Sequence, residues 1–172
     1  EVSRDATSFE APRLEDVEYL VTRDEFYDNP ALFHGPAFQA VEASDGERVA
    51  RIAGDRIPFR PAAERQKTLP GHAPGPDNVA QSSRQVDVVA LDAAFQLAVV
   101  WARNELGANT LPLKIGSVAW VGRGFYDDYQ AVLEPVSTTK TRAVSNLWLL
   151  SGDEVVARVK GLELFVIPSE AQ

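Results

Sequence analysis

The stretch Leu91-Asp92-Ala93-Ala94-Phe95-Gln96-Leu97-Ala98-Val99-Val100-Trp101-Ala102-Arg103-Asn104-Glu105-Leu106, followed by Gly107, decides the fold. It reads as the one long helix of the chain, with Gly107 and Asn109 as its C-terminal stop signals. The apolar run Val86-Asp87-Val88-Val89-Ala90 leads into it, and Asp92 is expected in its first turn. Gln96 follows four residues later, so both side chains rise from one helical stripe. Phe95, Ala98, Val99 and Ala102 share that stripe and are expected to face a core. An unpaired acid among such neighbours is expensive. Either Asp92 and Gln96 satisfy each other structurally, or they line a pocket where the acid does chemistry. The residues alone favour the first, because aspartate is common at helix starts and the helix dipole stabilises it there.

Outward from the helix, four strand-like segments follow, at 113–121, 129–136, 142–150 and 154–167. Ser151-Gly152-Asp153 joins the last two as an antiparallel hairpin. Upstream, Asp16 to Thr22 reads as extended, and Asp24-Glu25-Phe26-Tyr27-Asp28 as one helical turn that Asn29-Pro30 interrupts. Gly35-Pro36 is a turn, and Phe38 to Ala43 alternates as a strand does. Ser44-Asp45-Gly46 then signals a hairpin into a returning strand from Glu47 to Ala53. Residues 1–14 read as a lead-in, and the proline-rich residues 55–80 as an irregular excursion. The order is strands, one long helix, then antiparallel strands. Such a sheet must bury one face, and the single helix is the partner at hand. The fold class is therefore α+β, a hot-dog fold: an antiparallel sheet wrapped around one long central helix, as a single domain over 15–168. Its open sheet edge calls for a second hot-dog unit alongside, from the same or a different chain.

The 172 residues suffice for one self-supporting domain. Apolar residues make up 45% and charged residues 24%, a globular balance. No window approaches the roughly eighteen apolar residues of a membrane span, and no secretory leader is evident. A cytoplasmic location without membrane contact is the expectation. Absence of cysteine removes disulfides, thiolate catalysis and cysteine-ligated metals. Two histidines, His34 and His72, are too few for a histidine-rich metal site, and no metal is expected. A net charge of −8 argues against nucleic acid, which wants a basic surface. The chain starts at Glu1 and contains no methionine, as expected of a piece of something longer.

Several motifs in register resemble the C-terminal half of a polyketide synthase dehydratase domain. Phe26-Tyr27, followed by Leu32-Phe33-His34-Gly35-Pro36-Ala37-Phe38-Gln39-Ala40-Val41, is similar to that family's Tyr-Gly-Pro-x-Phe-Gln signature. His34 replaces the usual tyrosine, a variant similar to iterative synthases of the polyunsaturated-fatty-acid and enediyne types. Leu91-Asp92-Ala93-Ala94-Phe95-Gln96 resembles the family's Leu-Asp-x-x-x-Gln/His motif, whose aspartate is catalytic. Leu111-Pro112-Leu113-Lys114-Ile115-Gly116 resembles the segment after the helix, and Trp148 to Ala157 with Gly161-Leu162-Glu163 the last hairpin. The likeness spans residues 24–165. Two features depart from it. Neither His34 nor His72 stands in the His-x-x-x-Gly-x-x-x-x-Pro context of the other half, and Asp87-Val88 replaces the His-Pro before the Leu-Asp motif.

The resemblance implies removal of water from a 3-hydroxyacyl thioester carried on the phosphopantetheine of an acyl carrier protein, with no cofactor bound directly. A histidine takes the α-proton and an acid protonates the departing hydroxyl. Asp92 would be that acid, provided that burial by Leu91, Phe95 and Val99 raises its affinity for a proton. Gln96 would hold its rotamer, and the histidine base would come from another hot-dog unit. His34, Gly35, Pro36, Phe38, Leu91 and Phe95 would line the substrate tunnel. For His34, a side chain satisfied by backbone near Gly35 is an equal expectation. His72 reads as a solvated loop residue. Trp101, Trp120 and Trp148 read as core, and Asp127-Asp128 as a turn. Arg103, Lys114 and Arg123 are candidates for meeting an acidic carrier protein, although scattered cations are usually just surface. Two further readings stay open: a non-catalytic hot-dog module for dimerisation or acyl-chain binding, and a hot-dog thioesterase.

Overall fold

The computed structural model describes Pro12 and residues 16–54, 86–122 and 125–168. The expected excursion at 55–80 with His72, Arg123, and all of the 1–14 lead-in except Pro12 lie outside these residues. Strands β1 (Val21–Thr22), β2 (Val41–Ser44) and β3 (Val49–Ala53) precede the long helix. The short helix α1 (Arg23–Tyr27) follows β1, and a 3-10 turn spans Pro36–Phe38. After helix α2 (Val88–Leu106) come β4 (Thr110–Trp120), β5 (Asp128–Thr138), β6 (Arg142–Ser151) and β7 (Glu154–Val166). The seven strands form one antiparallel sheet in the order β1-β2-β3-β5-β6-β7-β4. Helix α2 packs on β3, β4, β5, β6 and β7, which is the hot-dog arrangement. Among the described residues, no helix is long and apolar enough to cross a membrane.

The small side chains of α2 explain how one helix fits inside a curved sheet. Ala90, Ala93, Ala94, Ala98 and Ala102 are all buried, with Leu97 and Trp101 among them. Alanines let the helix approach the strands closely, while Leu97 and Trp101 add large buried side chains, at about 1.5–3 kcal/mol for a fully buried leucine. The sheet bends around the helix at a bulge in β7. There Ser145 faces Leu162 while Leu147 faces Val159, so β7 carries one residue more than β6. Gly161 takes φ +62° at this point, a conformation that favours glycine, and its N–H is capped by Asn146 Oδ1 at 3.0 Å.

Helix α2 begins three residues before the expected start. Asp87 is its N-cap: its Oδ1 accepts from the Ala90 N–H at 3.1 Å, and its Oδ2 accepts from the Tyr129 hydroxyl at 2.8 Å. Asp92 therefore stands beyond the first turn, which contains no acidic residue. The helix-start role that the sequence offers Asp92 belongs to Asp87, which is 1% exposed. The C-terminus ends as expected, with Gly107 at φ +67°.

Two strand expectations also change. Of the segment Asp16 to Thr22, only Val21 and Thr22 pair with β2. Strand β4 starts at Thr110 and not at 113, passing through Pro112. A proline is tolerated there because β4 is an edge strand, hydrogen-bonded among the described residues to β7 alone.

Candidate active site

Three separate parts of the chain meet at Gln96. Its Nε2 donates to Asp92 Oδ2 at 2.7 Å and to the Phe38 carbonyl at 2.9 Å, and its Oε1 accepts from the Tyr27 hydroxyl at 2.9 Å. The Tyr27 oxygen in turn accepts from the Val41 N–H at 2.9 Å. A glutamine 1% exposed thus uses both donors and its acceptor, as a buried amide must. Its orientation is fixed from α1, from the 3-10 turn and from β2, so Asp92 meets a donor that has little freedom to turn away.

Tyr27 reaches this position because α1 is anchored at its start. Thr22 and Glu25 form a capping box, with the Thr22 N–H donating to Glu25 Oε2 at 2.9 Å. That hydrogen bond, with a second from the Thr22 hydroxyl, holds the Glu25 carboxyl below its ordinary pKa. Burial pushes the Tyr27 phenol up to about 12, against the lowering effect of the Val41 N–H. The phenol is neutral at physiological pH and can donate to Gln96.

Asp92 opens onto a cavity of about 210 Å³ lined by Ala31, Phe33, His34, Asp92, Phe95, Gln96, Val99, Thr110, Leu111, Pro112 and Leu113. The stripe of α2 carrying Asp92, Phe95, Gln96 and Val99 is therefore the wall of a cavity, and the helix's packed face is the alanine-rich one. The expected burial of Asp92 is partial: its side chain keeps 33% exposure. His34 Nε2 lies 3.7 Å from Asp92 Oδ2, and the imidazole stacks on Phe33 with ring centroids 5.0 Å apart.

Of the other residues expected to line the tunnel, Phe95 is in the wall. Gly35 and Pro36 shape the 3-10 turn that presents the Phe38 carbonyl, and both are exposed. Phe38 contributes that carbonyl to Gln96, and Leu91 packs half-buried against the core. None of these four is in the cavity wall formed by the described residues. Sequence reasoning missed Tyr27 as a site residue, and missed Thr110, Leu111, Pro112 and Leu113 as walls. A tyrosine one turn after an acidic capping box was visible, but nothing local shows that it spans to residue 96. Thr110 is buried, and its hydroxyl has no hydrogen-bond partner among the described residues.

Of the three cations considered for a carrier protein, the two among the described residues are engaged within the chain. Lys114 Nζ lies 2.7 Å from Glu163 Oε1, and Arg103 donates to Asn109. Trp101 and Trp148 are buried and Trp120 is half-buried, each with an indole N–H that has no partner among the described residues. Asp127 precedes β5 and its carbonyl accepts from the Gly54 N–H at 2.7 Å, while Asp128 is the first residue of the strand.

A family model described as the polyketide synthase dehydratase N-terminal domain matches residues 6–172. The chain belongs to the polyketide synthase dehydratase family. Solved dehydratase domains share the fold of this family member. One, from a mycocerosic acid synthase-like polyketide synthase, is 21% identical over 87% of this chain and 50% of its own length, with a TM-score of 0.54. The dehydratase domain of PpsC from Mycobacterium tuberculosis is 22% identical over 92% of this chain and 55% of its own, with a TM-score of 0.53. That of the CurK module of the curacin polyketide synthase is 18% identical over 88% and 49%, with a TM-score of 0.57. At these identities the likeness is one of fold. The chain spans about half the length of the dehydratase structures it matches. No curated protein matches it. The family description names an N-terminal domain, whereas the Asp92 motif resembles the C-terminal half. The acid-bearing reading therefore rests on Asp92 and Gln96 themselves.

Proposed function

We propose that this chain is the acid-bearing hot-dog half of a dehydratase that removes water from 3-hydroxyacyl chains on an acyl carrier protein. The observation that carries the reading is the carboxylate of Asp92, held by a fully hydrogen-bonded Gln96 at the wall of an apolar cavity. A purely structural carboxylate would need no such cavity, and the helix-capping role is already filled by Asp87.

Asp92 protonates the departing hydroxyl. An acyl chain lying against Phe33, Phe95, Val99 and Leu113 would displace water and complete the burial that the acid role needs. The base is a histidine, which the family resemblance places on another hot-dog unit. Such a unit would also cover the edge strand β4, along which Leu113, Ile115 and Val118 are exposed. The phosphopantetheine arm of the carrier brings the thioester, so no directly bound cofactor is part of the reading. Histidine at position 34 supports an iterative synthase of the polyunsaturated-fatty-acid or enediyne type.

Product analysis with the full protein that carries these residues tests the reading. Incubation with a 3-hydroxyacyl carrier-protein thioester should give the enoyl thioester, 18 mass units lighter by loss of one water (a difference of about one water, set by the lyase chemistry). Release of free acid would instead identify a thioesterase. Tight binding without any product would identify an acyl-chain-binding module.

A further inference from the structure

We infer that the cavity beside Asp92 has a closed floor at Ala31, Val99 and Thr110, and that this floor limits the substrate to short acyl chains, with at most about eight carbons from the reacting β-carbon inward. This rests on the dehydratase reading for its chemistry, while the limit itself is a property of the cavity.

The exposure of the lining residues falls from one end of the cavity to the other. Phe33 is 80% exposed and Leu113 69%, so the cavity opens to solvent beside them. The Asp92 side chain keeps 33%. Ala31 and Val99 keep 7% each and Thr110 keeps 2%, which closes that end. An acyl chain on a carrier protein stays tied to solvent through its phosphopantetheine arm. Its thioester therefore lies toward Phe33 and Leu113, and its tail runs past Asp92 to the floor.

Each side of the floor belongs to an element that is held in place. Val99 lies two helical turns after Asp92 on α2, about 10 Å further along the axis. Thr110 pairs with Val166 at the start of β4. The Ala31 N–H donates to Asn29 Oδ1 at 3.0 Å and the Leu32 N–H to the Asn29 carbonyl at 2.9 Å, which fixes the turn that carries Ala31. The floor cannot recede without breaking these bonds. An apolar cavity of about 150 Å³ takes benzene, with its six carbons. At that density the cavity of about 210 Å³ takes about eight carbons. In an iterative synthase this chain would serve the early rounds of extension, while the acyl chain is still short.

The test uses the full protein and pantetheine thioesters running from 3-hydroxybutyryl to 3-hydroxytetradecanoyl. In wild type, kcat/KM for the 3-hydroxydodecanoyl thioester should fall at least about 10–200-fold below that for 3-hydroxyoctanoyl, the range for one methylene too many in an apolar pocket. Val99→Ala deepens the floor and should narrow this ratio. Ala31→Val raises it from the opposite wall and should move the fall to a shorter chain. A substitution that only loosened the fold would lower turnover of every chain alike and leave the ratio unchanged. Binding of the saturated octanoyl and dodecanoyl thioesters of pantetheine, read by calorimetry, should show the same preference and the same two shifts. Equal wild-type kcat/KM for octanoyl and dodecanoyl chains, or a ratio that either folded variant leaves unchanged, would overturn the inference and leave the dehydratase reading standing. Binding that stops at the same chain length, with no enoyl product from any chain, would remove the dehydratase reading and leave the limit standing. Neither binding nor product with any chain would overturn both.

Discussion

Gln96 is the residue on which the site turns. Its helical spacing from Asp92 was plain in the sequence, since i and i+4 side chains share a face. Its other partners were not, because Tyr27 lies 69 residues away and the Phe38 carbonyl 58. No local pattern encodes such contacts. Tyr27 connects Gln96 to the Val41 N–H, and Val41 is fully buried. Tyr27→Phe leaves that N–H without its acceptor, at a cost of about 1–3 kcal/mol, and frees Gln96 to rotate. Urea unfolding should show the loss, and turnover should fall with it. The pH dependence has a definite sign. Burial raises the phenol from 10 to about 12, so above pH 10 the unfolded chain gives up a proton that the folded chain keeps. The stability that Tyr27 confers is fully present below pH 10 and is lost as pH rises through about 12. The stability gap between wild type and Tyr27→Phe should therefore be constant near neutrality and narrow in alkali. A gap that widened there would contradict the buried neutral phenol.

At the scale of elements, the two ends of α2 differ in how readable they were. Gly107 is a local stop signal, and the helix ends there. The start was misread because Val88-Val89-Ala90 looks like the end of a strand, and β-branched residues carry little helix signal. Asp87 was visible as a capping residue, but its second bond, to Tyr129 on β5, depends on a strand 42 residues downstream. That bond ties the helix start to the sheet. Asp87→Ala removes the cap and the bond from the Tyr129 hydroxyl, so thermal unfolding should show a loss of about 1–3 kcal/mol. Asp87→Asn keeps an acceptor for the Ala90 N–H and should lose clearly less. Equal losses would mean that the bond from the Tyr129 hydroxyl, whose acceptor oxygen asparagine also lacks, and not the cap, is what matters.

For the whole molecule, the order of strands, helix and strands was enough to reach the fold. A sheet with one long helix has few ways to bury its apolar face. The order of the strands within the sheet was not readable, because β4 follows the helix in sequence yet pairs with β7 at the far edge. This crossover brings Thr110 to Leu113 over the cavity and leaves β4 with an outer side that is unpaired among the described residues. The proposed second hot-dog unit would complete this edge. In the proposed function, this chain contributes the proton for the leaving hydroxyl. The most direct measurement is the rate of enoyl-thioester formation by the full protein carrying Asp92→Asn, which keeps the shape of the side chain and removes its acid. A fall of about 10²–10⁴-fold in kcat with an unchanged melting temperature is the predicted result. Wild-type turnover in Asp92→Asn would contradict the account.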